Sequence, residues 1–145
     1  MWIGPPLGSL TFNVDGAIRG SYGPAGIGGI LKDHNGIVLA KFSRSAGHSA
    51  PSGAELQAVL EDCHRFLESS WFPSFRLIIE SYSSLVISWI NTPHNAPSCF
   101  SVDCRYCFQL LPKFSWRIQT VPRCVNNEAN TLAKAGIRLS PQVNL

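Results

Sequence analysis

Charged side chains are scarce in this chain: they make up 14% of its 145 residues, against the roughly 25% typical of soluble domains. The net charge is only +3, from 12 Lys and Arg against 9 Asp and Glu. The domain is therefore not strongly basic, and its charge alone does not indicate a polyanionic partner. It also implies that uncharged polar residues, or apolar residues that a partner covers, form much of the surface.

Long apolar runs and a secretory leader are also lacking. The best apolar stretch, 77–90, is interrupted by Glu80 and several serines, so we expect no transmembrane helix and no membrane partner. No basic segment followed by an apolar one opens the chain, which argues against a secretory signal. The five cysteines are an odd number and indicate reduced thiols. We therefore expect an intracellular location, in the nucleus or the cytoplasm.

The length favours one domain with a core of its own. We divide the chain into an N-terminal arm at 1–9, a domain at 10–138 and a C-terminal tail at 139–145. Apolar and polar residues alternate from Leu10 to Asp15, the period of a strand. Asn35-Gly36 between two further strand-like runs, 27–32 and 37–43, predicts a hairpin. The first three strands should therefore form an antiparallel meander.

The second half of the chain alternates between helical and strand patterns. A helix is predicted over 52–68, with Ser52 and Glu55 as a capping box, and a buried strand over 75–80. The later predicted elements are a helix at 84–90, a helix from Ser98 to Leu111 ended by Pro112, a strand at 116–121, and a helix at 128–135 capped by Asn126 or Asn127 and followed by Gly136. The order predicts an α/β fold: a mixed five-stranded sheet, an antiparallel meander followed by alternating β and α elements, with helices on both faces.

Four places that could carry chemistry should converge at one edge of this sheet. They are the end of the first strand at Asp15, the start of the first helix at Glu55, the end of the fourth strand at 80–82, and the start of the last helix at 128–130. A carboxylate at a strand end is a candidate metal or substrate ligand. Taken alone, Asp15-Gly16 is better explained as a turn dipeptide, and it is the rest of the chain that favours a ligand.

Several motifs, in order along nearly the whole chain, resemble one family. They are W-x-x-P-P-x-G at the start, FNVDGA, GPAGIGGILKDHNG, the helix beginning AEL at Ala54, LIIESYS, and VPRCVNNEANTLAKAG. As a set they are similar to the ribonuclease H-like superfamily, in particular the reverse-transcriptase-like ribonuclease H domain of plant proteins and retroelements.

This resemblance implies metal-dependent endonucleolytic cleavage of the RNA strand of an RNA–DNA hybrid. In the family, four carboxylates hold two Mg²⁺ ions, because only a cluster of anionic oxygens offsets the repulsion between two closely spaced cations. In the family, a histidine on the loop before the last helix also assists proton movement or product release. The implied partner is nucleic acid, specifically an RNA–DNA hybrid, and the implied cofactor is Mg²⁺ or Mn²⁺.

The match to the family site is incomplete. Asp15 and Glu55 stand at the first two carboxylate positions and are the implied catalytic and metal-binding residues. The family motif E-S-D-S is here E-S-Y-S, so Tyr82 replaces the third aspartate. N-x-x-A-D is here N-N-E-A-N, so Asn130 replaces the fourth, and Thr120 stands at the histidine position. We expect any metal to bind weakly.

Three functional hypotheses follow. The first is a degraded enzyme that keeps the fold and binds nucleic acid while cleavage is weakened or lost. The second is an active ribonuclease whose site is rescued by Glu80, two residues before Tyr82 and so on the same face if the strand continues. The third is a protein-interaction module that uses the charge-poor surface. A monomer is expected, with a protein partner left open.

Candidate nucleic-acid contacts are Asn13, Gly16, Gly28 and Arg123. A glycine such as Gly28 permits either close packing within the protein or close approach of a nucleic-acid backbone. Arg123 is either a phosphate contact near the last helix or a solvated surface residue. These alternatives stay open at the level of sequence.

Overall fold

The computed structural model describes residues 7–114 and 117–139; most of the predicted arm and tail lie outside this range. The strands are β1 (Ser9–Ile18), β2 (Gly23–Lys32), β3 (Val38–Ser49), β4 (Arg76–Ser81) and β5 (Arg117–Thr120). The α-helices are α1 (Pro51–Leu67), α2 (Ser84–Asn91), α3 (Ser101–Phe114) and α4 (Asn127–Ile137), with short 3₁₀ helices at Pro93–Asn95 and Arg123–Asn126. Among the described residues, no helix has both the length and the apolar character that a membrane span requires.

The five strands form one mixed sheet in the order β3-β2-β1-β4-β5. β1 pairs antiparallel with β2, and β2 with β3, whereas β4 runs parallel to both β1 and β5. The predicted α/β fold, with its meander followed by alternating elements, is therefore confirmed. The predicted hairpin between β2 and β3 is also observed. In its turn the Asp33 carboxylate accepts hydrogen bonds from the backbone N–H groups of Asn35 and Ile37, and Gly36 has φ of 80°.

Helices cover both faces of the sheet. On one face Leu10, Phe12 and Val14 are buried in the main core together with Leu56 and Val59 of α1. Because side chains alternate across a strand, the neighbouring positions of the sheet face the other way, toward α4. The sheet is thus enclosed between α1 and α4, and β4 is buried on both faces as predicted.

Glycines of β2 allow α4 to lie unusually close to the sheet. A Cβ added at Gly28 would lie 2.5 Å from the backbone nitrogen of Ala133 and 2.8 Å from the carbonyl oxygen of Ala129. The buried Gly28 therefore has a packing role, and its predicted contact with nucleic acid is not supported. Of the two alternatives, close packing accounts for this glycine.

Several predicted helix ends are wrong. Ser52 forms no capping box, because α1 begins at Pro51 and its N-cap is Ala50, with no side-chain hydrogen bond. The helix predicted from Ser98 begins instead at Ser101 and continues past Pro112 to Phe114, since a proline in the last turn forgoes one backbone hydrogen bond without ending the helix. Gly136, predicted to follow the last helix, lies within α4 against the backbone of Arg44.

Candidate active site

Gly16 allows the side chains of Asp15 and Glu55 to lie close together. A Cβ at Gly16 would lie 2.5 Å from the carbonyl carbon of Ala54, so only glycine lets the first turn of α1 lie against β1 here. The Gly16 N–H donates to both carboxylates, to Asp15 Oδ1 at 3.0 Å and to Glu55 Oε1 at 3.0 Å. Asp15-Gly16 lies within β1 and is not the turn that its dipeptide composition allowed.

The start of α4 completes this side of the site. Asn130 donates from Nδ2 to Asp15 Oδ2 at 2.7 Å, and Asn126 donates from Nδ2 to the Val14 carbonyl at 2.7 Å. Asn126 is the N-cap residue of α4, as one of the two sequence alternatives had it, but its side chain makes no capping bond. It fixes the helix to β1 instead, a long-range role that no local pattern in the sequence signals.

The two carboxyl groups interact directly. The pKa of Glu55 is raised from 4.5 to about 9, first by burial and then by a hydrogen bond to Asp15 and the negative charge of that residue, against the lowering effects of the Gly16 N–H and the Ser81 hydroxyl. At neutral pH Glu55 therefore holds a proton. Ser81 Oγ donates to Glu55 Oε2 at 3.4 Å.

These groups lie in an open cleft of about 550 Å³ at the carboxyl ends of β1, β4 and β5. The cleft brings together seven residues that the sequence singled out: Asp15, Gly16, Glu55, Tyr82, Thr120, Arg123 and Asn130. The predicted convergence of the strand ends and helix starts is thus observed. Hydroxyl groups of Ser83 and Ser84, at the start of α2, line the same cleft.

Tyr82 follows β4 directly and is 46% exposed. The guanidinium carbon of Arg123 lies 4.5 Å from the centroid of its ring. This is a cation–π contact on the wall of the cleft, at the position where the family resemblance places a carboxylate. The sequence identified both residues, but not that they contact each other.

Asn13 and Glu80 lie outside the cleft. Asn13 is 2% exposed and donates to Glu80 Oε1 at 2.9 Å, while Gln119 donates to Glu80 Oε2 at 2.7 Å. The predicted hybrid contact of Asn13 is therefore not supported, because the residue is buried. Glu80 is held by amides of the neighbouring strands β1 and β5, and it does not line the cleft.

The donor set does not fit two divalent cations. Such ions in proteins are held mainly by carboxylate oxygens, whereas the cleft offers only two carboxylates. Its other side-chain oxygen donors are neutral: the amides of Asn126 and Asn130, the hydroxyls of Ser83, Ser84 and Thr120, and the phenol of Tyr82. The amide nitrogen of Asn130 is directed at Asp15. All four oxygens of Asp15 and Glu55 already accept hydrogen bonds from protein groups. Within the described part of the chain, no three His, Cys, Asp or Glu side chains are grouped to hold a metal ion.

Comparison with known proteins agrees with this architecture. The model of the family described as reverse transcriptase-like matches residues 13–136. A curated Arabidopsis thaliana protein, named as a putative ribonuclease H protein, is 32% identical over 132 residues, which are 91% of this chain and 20% of that relative. The chain thus spans about a fifth of the length of this relative.

Solved structures share the fold at lower identity. The ribonuclease H1 of the archaeon Halobacterium salinarum is 24% identical, with a TM-score of 0.79 over 89% of this chain and 97% of that chain. A ribonuclease H1 isolated from compost, in complex with an RNA/DNA hybrid, is 20% identical, with a TM-score of 0.78 over 89% of this chain and 96% of that chain. With the family match extending over most of the sequence, the chain belongs to the reverse transcriptase-like family of ribonuclease H-like domains.

Proposed function

We propose that this domain binds nucleic acid, with an RNA–DNA hybrid as its ligand, and that its capacity to cleave the RNA strand is weak or lost. The observation that carries the proposal is the composition of the cleft. Tyr82 and Asn130 occupy two of the four positions at which the family resemblance places carboxylates, beside the remaining Asp15 and Glu55.

The binding part of the proposal is supported by related folds. The compost ribonuclease H1 was solved with an RNA/DNA hybrid, and the foamy virus protease-reverse transcriptase with a hybrid and with double-stranded DNA. The cleft of this chain is open, lies at the strand ends and carries an exposed arginine, Arg123. These features suit a phosphate backbone, which arginine contacts by charge-assisted hydrogen bonds.

The loss of cleavage is supported by electrostatics. Each missing carboxylate removes a gross attraction to one divalent ion of roughly 8 kcal/mol at a separation of about 4 Å and an effective dielectric constant of about 20. Desolvation and water ligands offset much of this energy. Even a net loss of about 4 kcal/mol in transition-state stabilisation corresponds to a rate reduced by roughly a thousandfold.

The alternative of an active enzyme rescued by Glu80 lacks structural support. The carboxylate of Glu80 accepts hydrogen bonds from Asn13 and Gln119, and Tyr82 lies just beyond the end of β4. To take part, Glu80 would have to break two hydrogen bonds and leave a buried site, at a cost of about 1–3 kcal/mol for each partner left unpaired.

Two measurements on the same samples test the proposal. Fluorescence anisotropy with a labelled RNA–DNA hybrid gives affinity, with double-stranded DNA and double-stranded RNA of the same sequence as comparison ligands. A denaturing gel with Mg²⁺ or Mn²⁺ gives cleavage. We expect the hybrid to be bound and left intact; no affinity for any of the three duplexes, or rapid cleavage of the bound hybrid, would contradict the proposal.

A further inference from the structure

The contact between Tyr82 and Arg123 places a permanent positive charge on the wall of the cleft. The guanidinium carbon lies over the ring, 4.5 Å from its centroid, and this contact restricts the positions that the guanidinium group can take. The ion pairs formed by the described residues do not include Arg123. Its charge is therefore not neutralised by a carboxylate within the described part of the chain.

The two acidic groups of the cleft, Asp15 and Glu55, are held by hydrogen bonds within the protein and do not pair with Arg123. Asp15 is 6% exposed, and its carboxylate accepts hydrogen bonds from the Gly16 N–H and from Asn130. Glu55 is likewise held by Gly16 and Ser81. Both acidic groups are thus directed at donors of the protein, and no negative group of the described residues faces the guanidinium within ion-pair distance.

Residues with neutral hydrogen-bond donors line the same cleft. Thr120 at the end of β5, and Ser83 and Ser84 at the start of α2, line the cleft with Tyr82 and Arg123. A phosphate oxygen accepts hydrogen bonds from hydroxyl and guanidinium groups alike. The cleft therefore contains a cation and residues with hydroxyl donors, and contacts of these groups with a phosphate require no bridging metal ion.

We propose that the Tyr82–Arg123 pair holds a backbone phosphate of the nucleic acid directly, so that binding in this cleft is independent of divalent cations. This inference rests on the proposed function, since it specifies how the same cleft binds its ligand. Arg123 supplies the charge, and the Tyr82 ring is a positioning group that fixes the guanidinium. Tyr82, at a position where the family resemblance places a carboxylate, thus supplies a platform for a cation.

The test is fluorescence anisotropy with a labelled RNA–DNA hybrid, at matched ionic strength, in EDTA and in Mg²⁺. We expect the dissociation constants in the two buffers to agree within about threefold. Arg123→Gln is expected to weaken binding about tenfold in EDTA and to reduce the slope of log K against log salt by about 1, as the loss of one phosphate contact predicts. Arg138→Gln is the matched control, because Arg138 is exposed at the other end of α4.

The ring is tested separately. Tyr82→Ala should weaken binding in EDTA more than Tyr82→Phe does, because the aromatic face, and not the hydroxyl group, contacts the guanidinium. Circular dichroism spectra check that each variant is folded. Equal effects of the Ala and Phe substitutions would contradict the positioning role.

The remaining outcomes separate this inference from the proposed function. Binding of the hybrid only in the presence of Mg²⁺ would overturn the inference and leave the proposed function standing. An effect of Arg123→Gln no larger than that of Arg138→Gln would overturn it as well. Absence of binding in both buffers would overturn the proposed function, and the inference with it.

Discussion

The amide of Asn130 donates a hydrogen bond of 2.7 Å to Oδ2 of Asp15, across the gap between α4 and β1. In the family pattern two aspartates stand at these positions and repel each other unless a cation lies between them. Here the protein supplies its own neutral partner for Asp15. The geometry of the cleft is therefore maintained by hydrogen bonds of the chain itself.

Asn130→Asp should destabilise the domain when no metal is present. The substitution replaces a hydrogen bond with a contact between like charges, and we expect the free energy of unfolding in EDTA to fall by about 1–3 kcal/mol. Urea denaturation measures this change. Asn127→Asp, an exposed position in the first turn of the same helix, is the matched control and should cost nothing, since a negative charge is favourable at a helix start.

Addition of Mg²⁺ or Mn²⁺ distinguishes this mechanism from a general packing defect. A third carboxylate should let the Asn130→Asp variant bind a cation and recover stability with rising metal concentration, as for any ligand that binds only the folded state. The parent and the Asn127→Asp control should respond less. Equal stability of both variants in EDTA would contradict the role assigned to the Asn130–Asp15 bond.

Placing carboxylates at positions 82 and 130 should produce metal-dependent cleavage. We expect the double variant Tyr82→Asp/Asn130→Asp to gain Mg²⁺-dependent cleavage of an RNA–DNA hybrid, with each single variant less active, because the two positions belong to one cluster and act together. Gel analysis of a labelled RNA strand measures the rate. The triple variant that also carries Asp15→Asn is the control and should be inactive; equal cleavage by the triple variant would show that the cleft is not the active centre.

Asp62 of α1 should make stability depend on pH. It is fully buried, and neither carboxyl oxygen has a hydrogen-bond partner among the residues that the structure describes. Burial, with a smaller contribution from Glu61, raises its pKa well above 3.8. The folded state therefore binds a proton that the unfolded state releases above about pH 4, so stability falls as pH rises toward the folded-state pKa. Within that window the loss is roughly 1.4 kcal/mol per pH unit.

Asp62→Asn removes this dependence, since an amide does not titrate. The variant should exceed the parent in free energy of unfolding at pH 7, and the difference should grow between pH 4 and pH 7. Asp103→Asn, at an exposed position of α3, is the control. A difference between parent and Asp62→Asn that stays constant over this range would contradict the assignment.

Gly28→Ala tests whether this glycine serves packing or ligand binding. Because the added methyl group meets the backbone of α4, we expect a loss of about 1–3 kcal/mol in the free energy of unfolding. Gly20→Ala is the comparison: Gly20 has φ of 76° and open space around it, so alanine there incurs backbone strain alone. Unchanged stability of Gly28→Ala together with weakened hybrid binding would contradict the packing role.

Sequence patterns were sufficient to predict the sheet and the convergence of the two carboxylates, Asp15 and Glu55. The alternation from Leu10 to Asp15 and the Asn35-Gly36 turn predict the meander, because strand period and turn chemistry are properties of neighbouring residues. The convergence of Asp15 and Glu55 follows from the order of strands and helices and from the family motifs. Short stretches of sequence thus specify the strands and turns, whereas the convergence of the carboxylates depends on the order of the elements along the chain.

Roles that depend on long-range contacts could not be inferred in this way. Nothing near Asn13 in the sequence indicates that its side chain meets Glu80, 67 residues away. The same holds for Asn126, whose amide bonds to the Val14 carbonyl instead of capping its own helix. In each case the local sequence suggests one role for a polar residue, whereas its side chain makes a long-range hydrogen bond in the folded protein.

The most direct test of the account is a single-turnover cleavage assay on a labelled RNA–DNA hybrid, with the parent domain beside its Asp15→Asn variant, in Mg²⁺ and in Mn²⁺. Protein is held in excess of the measured dissociation constant, so that binding does not limit the result. We predict that the parent binds the hybrid and cleaves it slowly at most, at a rate close to that of Asp15→Asn. Rapid metal-dependent cleavage by the parent that Asp15→Asn abolishes would contradict the account.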